Sequence, residues 1–179
     1  MSLFLATLLT GLALIAWGLP FLKGGPGVQQ RATKLLRSQS AAYVLFGGAA
    51  LWFLWLVTQL GKADFGDYKM IMLFVFGAAA IGAFKYTPDF LAVRGLAGLI
   101  LLAASPLLHA AYMQYDLPQR LLLVSAVYLL IVAAMFIGTM PYLMRDLFQW
   151  LWAQPKRPKL FGGAFVAYGA LLVATSFTY

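Results

Sequence analysis

Six stretches of this chain, at about 3–22, 41–60, 70–84, 95–113, 121–140 and 161–178, are nearly unbroken runs of apolar residues. Each is close to the length, about 20 residues, at which an α-helix crosses the hydrocarbon of a bilayer. Hydrocarbon offers no partner to a backbone N–H or C=O, so runs of this kind satisfy those groups internally, as helices. The third run is the shortest, and it extends over Tyr68 and Lys69 if their polar ends snorkel to the interface. Only 10% of the 179 residues are charged and 63% are hydrophobic, whereas a soluble domain carries about 25% charged residues. The expected fold is therefore an all-α integral membrane protein: a compact bundle of six transmembrane helices forming one domain over residues 1–179.

What is missing narrows the chemistry. The chain has no Cys, which removes disulfides, thiolate metal sites and cysteine nucleophiles. It also has no Glu and no Asn, so its acids are Asp64, Asp67, Asp89, Asp116 and Asp146, and no N-glycosylation acceptor exists. A single histidine, His109, cannot build a multi-histidine metal site or a bis-histidine haem within one chain. No metal and no cofactor is expected, and no catalytic residue stands out.

The basic residues set the orientation. Lys23, Arg31, Lys34 and Arg37 follow the first run, Lys85 and Arg94 the third, and Arg145, Lys156, Arg157 and Lys159 the fifth. On the other side fall only Lys62, Lys69 and Arg120. Ten against three is a strong positive-inside bias, and it places both termini outside and the three basic loops in the cytoplasm. The first run lacks a positive segment before it and a small-residue cleavage site after it, so it reads as an uncleaved helix. The net charge of +8 is thus explained by topology and by contact with anionic lipid headgroups, not by nucleic acid. Short loops suit a bacterial inner membrane.

Two of the basic loops have a helical pattern of their own. In VQQRATKLLRSQ (28–39), Val28, Ala32, Leu35 and Leu36 share a face from which Arg31, Lys34 and Arg37 point away. In YLMRDLFQWLW (142–152), Leu143, Leu147 and Trp150 lie on one side, with Arg145, Asp146 and Gln149 elsewhere. Both segments are expected to be short interfacial helices under the cytoplasmic headgroups, and the run QPKRPK is expected to break the helix after the second.

The pentapeptide LFGGA occurs at 45–49 and at 160–164, each time where a helix rises from a basic loop. Upstream stand GLPFL (18–22) and GTMPYL (138–143), with PDFL (88–91) as a looser version. The chain can thus be read as three pseudo-repeated helical hairpins turning in the cytoplasm. On that reading the second and sixth helices pack through Gly47, Gly48, Gly162 and Gly163, since paired small residues let backbones approach closely.

The fourth run holds the most conspicuous polar atoms. Arg94, Gly98, Leu101, Ser105, His109 and Tyr112 share one helical face, opposite Leu96, Ile100, Ala103, Leu107 and Ala110. Polar atoms in hydrocarbon usually face a bundle interior, so the expected arrangement turns that face inward. Pro106 frees the carbonyl four residues back and can kink the helix. On the fifth run, Ser125, Tyr128, Val132, Met135 and Thr139 form a similar face. The connection between these runs is short, which makes them antiparallel neighbours. A ligand pocket between them, formed by Ser105, His109, Ser125 and Tyr128, is the candidate site. Asp89 and Arg94 form a second candidate, a gating or anchoring pair at the cytoplasmic end.

No motif is diagnostic of an enzyme, carrier or channel. Acid–base catalysis needs a positioned titratable pair, and no Asp falls inside a run. Ion-coupled carriers place carboxylates or amides at depth, and here there are none. The favoured function is a non-catalytic membrane subunit that binds a partner, a lipid or a quinone, as a homo-oligomer or within a membrane complex. The alternative is a small-solute channel or facilitator.

Overall fold

The computed structural model describes residues 1–179 and contains eight α-helices and no strand: α1 (Leu3–Lys23), α2 (Pro26–Leu36), α3 (Gln39–Thr58), α4 (Lys69–Tyr86), α5 (Leu91–Ala111), α6 (Arg120–Thr139), α7 (Tyr142–Trp152) and α8 (Lys156–Ser176). Six of them, all but α2 and α7, are long and apolar enough to cross a membrane. The protein is an integral membrane helical bundle.

Local chemistry explains most of the helix ends. The Leu5 N–H donates to Ser2 Oγ and the Ala41 N–H to Ser38 Oγ, so α1 and α3 start on N-caps. Between α1 and α2 the chain turns through Gly24 and Gly25, both with positive φ (62° and 97°). There a side chain would be strained. Pro26 then opens α2 at a position where its missing N–H costs nothing. The same logic corrects the expected start of α8, which begins at Lys156 and not near 161. Pro155 and Pro158 sit in its cap and first turn, so QPKRPK begins a helix. α5 likewise starts earlier than expected, after Phe90 in the left-handed region (φ 57°), and this draws Arg94 into its first turn.

The most extensive helix contact joins α1 to α8, the first and last spans. They run antiparallel and meet through glycines seven residues apart on each helix. A Cβ added at Gly11 would lie 2.8 Å from the carbonyl of Gly169, and one at Gly18 would lie 2.7 Å from the carbonyl of Gly162. The reciprocal positions are equally closed, at 2.7 Å and 2.6 Å. In lipid no hydrophobic force drives helices together, so close van der Waals contact between such small-residue faces replaces it. Thr7, Thr10 and Ser176, the buried polar side chains of the protein, belong to these two helices. Each donates its hydroxyl to a carbonyl of its own helix, at 2.7–2.9 Å, so none is left unsatisfied in the interior.

α5 is the centre of the other half. It packs on α3 on one side and on α6 on the other. Gly95 lies directly against the backbone of Phe46, and Gly98 faces Ala49. Towards α6, Ala97, Ala104 and Ala111 are buried opposite Leu123, Val127 and Ala134. The short turn between α5 and α6 is held by Arg120, whose Nη1 donates to the Ala111 carbonyl at 2.9 Å while its guanidinium lies 4.7 Å from the Tyr115 ring centre. α4 packs mainly on α3 and has no buried residue.

α2 and α7 both form, as expected, and they pack on one another and on neighbouring spans, α2 on α5 and α7 on α6 and α8. The docked face of α7 is Met144, Phe148 and Leu151, gathered with Phe21, Leu36 and Val93 into one cluster. The expected face of Leu143, Leu147 and Trp150 is instead the partly exposed one, with Trp150 open. The helix has two apolar stripes, and the one carrying Met144, Phe148 and Leu151 is the one that meets Phe21, Leu36 and Val93.

The hairpin reading needs correction on the same grounds. α1 and α3, joined through α2, do not form a packed pair, and neither do α3 and α8. Of the LFGGA glycines, only Gly162 is in tight contact, against Gly18; Gly48 faces open space and Gly47 only the edge of Phe84. What repeats is a span, an 11-residue connecting helix and a second span, in α1–α2–α3 and in α6–α7–α8.

Candidate functional site

A groove of about 430 Å³ lies between α3, α4 and α5. Its walls are Phe46, Ala49, Ala50, Phe53 and Leu54 from α3, Phe76, Ala79 and Ala80 from α4, and Gly98, Leu101 and Leu102 from α5. It exists because α4 leans on α3 without reaching α5, and because Gly98 and the alanines leave space that Phe46, Phe53 and Phe76 border but do not fill. The volume lies within the range of small-molecule sites, about 300–1,000 Å³. A second cavity of about 230 Å³ lies between α1, α6 and α8, beside Leu14, Ala126, Phe165 and Tyr168. There the only polar atom of note is already engaged, because Tyr168 donates its hydroxyl to the Leu122 carbonyl at 2.9 Å.

The four residues expected to form a pocket between α5 and α6 are not gathered there. Ser105, His109, Ser125 and Tyr128 are all exposed on the surface of the bundle, and none lines either cavity. Along α5 and α6 the side-chain hydrogen bonds belong to Arg120 and Thr139; these four make none. The inward orientation expected for the polar faces is thus overturned, and the reason is steric. α5 and α6 approach through alanines and glycines: a Cβ added at Gly138 would lie 3.3 Å from the Cβ of Ala97. So close a seam excludes hydroxyls and imidazole. Ser125 and Tyr128 sit with Val132, Met135 and Thr139 on the outward face of α6.

Ser105 and His109 take a different place. On α5 the groove is lined by Gly98, Leu101 and Leu102. Ser105 follows Leu101 by four residues and His109 follows Ser105 by four, so both continue the groove-facing side of the helix towards its C-terminal end. Pro106 brings no N–H to the carbonyl of Leu102, and this carbonyl belongs to a groove residue. An acceptor, a hydroxyl and an imidazole therefore follow one another along the C-terminal half of α5. The His109 ring has the Tyr112 ring as an edge-on neighbour, at 6.4 Å between centres.

Asp89 and Arg94 do not pair. Asp89 is exposed in the turn before α5, Arg94 is half-buried in its first turn, and the one ion pair of the protein is Arg145–Asp146, at 2.8 Å. The remaining charge on this side is basic. Arg37 lies over the Phe90 ring at 5.2 Å, and Arg157 lies over Trp150 at 4.5 Å while its Nη1 donates to the Trp150 carbonyl at 2.9 Å.

The groove was not legible in the sequence, since its lining is indistinguishable from ordinary span composition; the one hint was Gly98 on the polar face of α5. No family model matches the chain, and no curated protein or solved structure shows significant similarity to it.

Proposed function

We propose that this protein is a non-catalytic membrane subunit that binds a lipid-soluble amphiphile in the groove between α3, α4 and α5, with Ser105 and His109 at its polar end. The observation that carries this reading is the continuity between an apolar groove and a polar stripe on one face of α5. A conduit is less well supported, because the buried polar side chains are Thr7, Thr10 and Ser176, all bonded within their own helices. The positive-inside rule orients the bundle with both termini outside and α2 and α7 on the cytoplasmic side. There the basic residues around them meet anionic headgroups.

A partner helix is the second element of the proposal. Ser125 and Tyr128 present unbonded hydroxyls on the outward face of α6, at a depth where lipid offers no hydrogen-bond partner. A neighbouring subunit, a second copy or another membrane protein, satisfies them.

The decisive experiment is extraction of the protein purified in mild detergent, followed by mass spectrometry of the organic phase and native mass spectrometry of the complex. A stoichiometric amphiphile, displaced when Leu101→Trp fills the groove, is the expected result. Solute flux into proteoliposomes that is abolished by His109→Ala, with no bound amphiphile, would replace this reading with a facilitator.

A further inference from the structure

We infer that the occupant of the groove is an isoprenoid quinol or its quinone, held with its tail between α3, α4 and α5 and its ring beside Leu102, Ser105 and His109; this rests on the amphiphile-binding reading above. An apolar groove facing lipid gains almost nothing from hydrophobicity, because acyl chains of the bilayer fill it equally well. Selectivity has to come from the polar atoms at its end, and their depth identifies the head they suit.

Counted along α5 from Leu91, the Leu102 carbonyl lies at about 16 Å, Ser105 at about 21 Å and His109 at about 27 Å, at 1.5 Å per residue. In hydrocarbon about 30 Å thick, the stripe runs from mid-membrane to the outer boundary. A phospholipid keeps its phosphate and glycerol at the headgroup level and brings no polar group to the depth of Leu102 and Ser105. A neutral ring carrying oxygens on opposite edges does, and it needs no counter-charge.

The protein has none to offer at that depth. Arg120, the nearest cation in the outer turn, is engaged with Ala111 and Tyr115, and Asp116 lies exposed in the loop. The hydrogen-bond inventory is complementary as well. The Leu102 carbonyl accepts from a quinol hydroxyl, while Ser105 and the imidazole of His109 donate to a ring oxygen or accept from one. One groove of about 430 Å³ suits a single branched tail better than the two chains of a glycerolipid.

The test titrates decylubiquinol and decylubiquinone into the protein in nanodiscs of a neutral phospholipid, reading quenching of its tryptophan fluorescence. Saturable binding is expected, weakened about fivefold by Ser105→Ala or His109→Leu, the value of one neutral hydrogen bond. Leu101→Trp, at an exposed position the fold tolerates, is expected to weaken it at least about tenfold. Pro106→Ala, which restores the N–H for the Leu102 carbonyl, should weaken the quinol more than the quinone. Gly48→Ala, which faces open space outside the groove lining, should change nothing. Binding that ignores Leu101→Trp and His109→Leu overturns the inference. If the quinol does not bind but another extracted lipid is displaced by Leu101→Trp, the amphiphile reading stands and the quinol assignment falls. If nothing occupies the groove, both fall.

Discussion

Gly11 of α1 and Gly169 of α8 lie so close that a methyl group on either would strike the other's carbonyl oxygen, at 2.8 Å and 2.7 Å. One heptad along, Gly18 and Gly162 repeat the relationship. Two antiparallel helices that touch at every second turn through glycine have no slack for a side chain.

Gly162→Ala and Gly169→Ala are therefore expected to destabilise the bundle by about 1–3 kcal/mol each, the usual cost of overpacking a close seam. Gly48→Ala faces open space and should be neutral. Thermal unfolding of the purified variants in one detergent compares them directly. Equal midpoints for Gly162→Ala and Gly48→Ala would contradict the packing described.

The contact between α3 and α5 can be trapped covalently. A Cβ at Gly98 would sit 3.3 Å from the Cβ of Ala49, near the spacing of about 3.5–4.5 Å found in disulfides. The chain has no cysteine of its own, so the double variant Ala49→Cys, Gly98→Cys needs no background substitution. Oxidation should close the bridge in native membranes, seen as a gel shift or by mass spectrometry. Ser125→Cys paired with Ala49→Cys should remain open.

Arg157 ties the start of α8 to the end of α7 through the Trp150 carbonyl and ring. Arg157→Ala is expected to cost about 1–2 kcal/mol, and Arg157→Lys to recover little of it, since a compact ammonium does not stack and fork as a guanidinium does. Unfolding midpoints and amide exchange over residues 150–157 are the measurements. Full rescue by lysine would show that charge alone acts there.

Orientation follows from single cysteines in the same background. With both termini outside, Ser2→Cys and Thr178→Cys should react with a membrane-impermeant maleimide in intact cells, and Thr33→Cys, exposed on α2, only after lysis. The reverse pattern would invert the topology.

The spans and both interfacial helices were readable from the chain because length, apolar runs and proline positions depend on local physics. The faces were not. In water a polar stripe points out and an apolar one in, but in lipid both surroundings are apolar, and the contact is decided by how closely backbones approach. Ala97, Ala104 and Ala111 won the interior of α5 over Ser105 and His109 for that reason. The glycine heptads of α1 and α8 stood in the sequence too. Yet nothing local announces that Gly11 belongs with Gly169, at the far end of the chain. The LFGGA echo picked out Gly162 as a close contact but with the wrong partner helix, and Gly47, Gly48 and Gly163 make no close backbone contact, since the same dipeptide is a contact only where a second helix arrives.

The α1–α8 seam also fixes an order of events during synthesis. α1 enters the bilayer well before its partner α8, carrying Thr7, Thr10 and two bare glycine notches. α4, α5 and α6 can each settle against a span already present, while α1 waits for its main contact, which comes five spans later. Until then its notches are open to any small-residue helix nearby. Premature termination before α8 should thus leave a five-span product whose first helix is available to the wrong partner, and membrane quality control is expected to recognise it there.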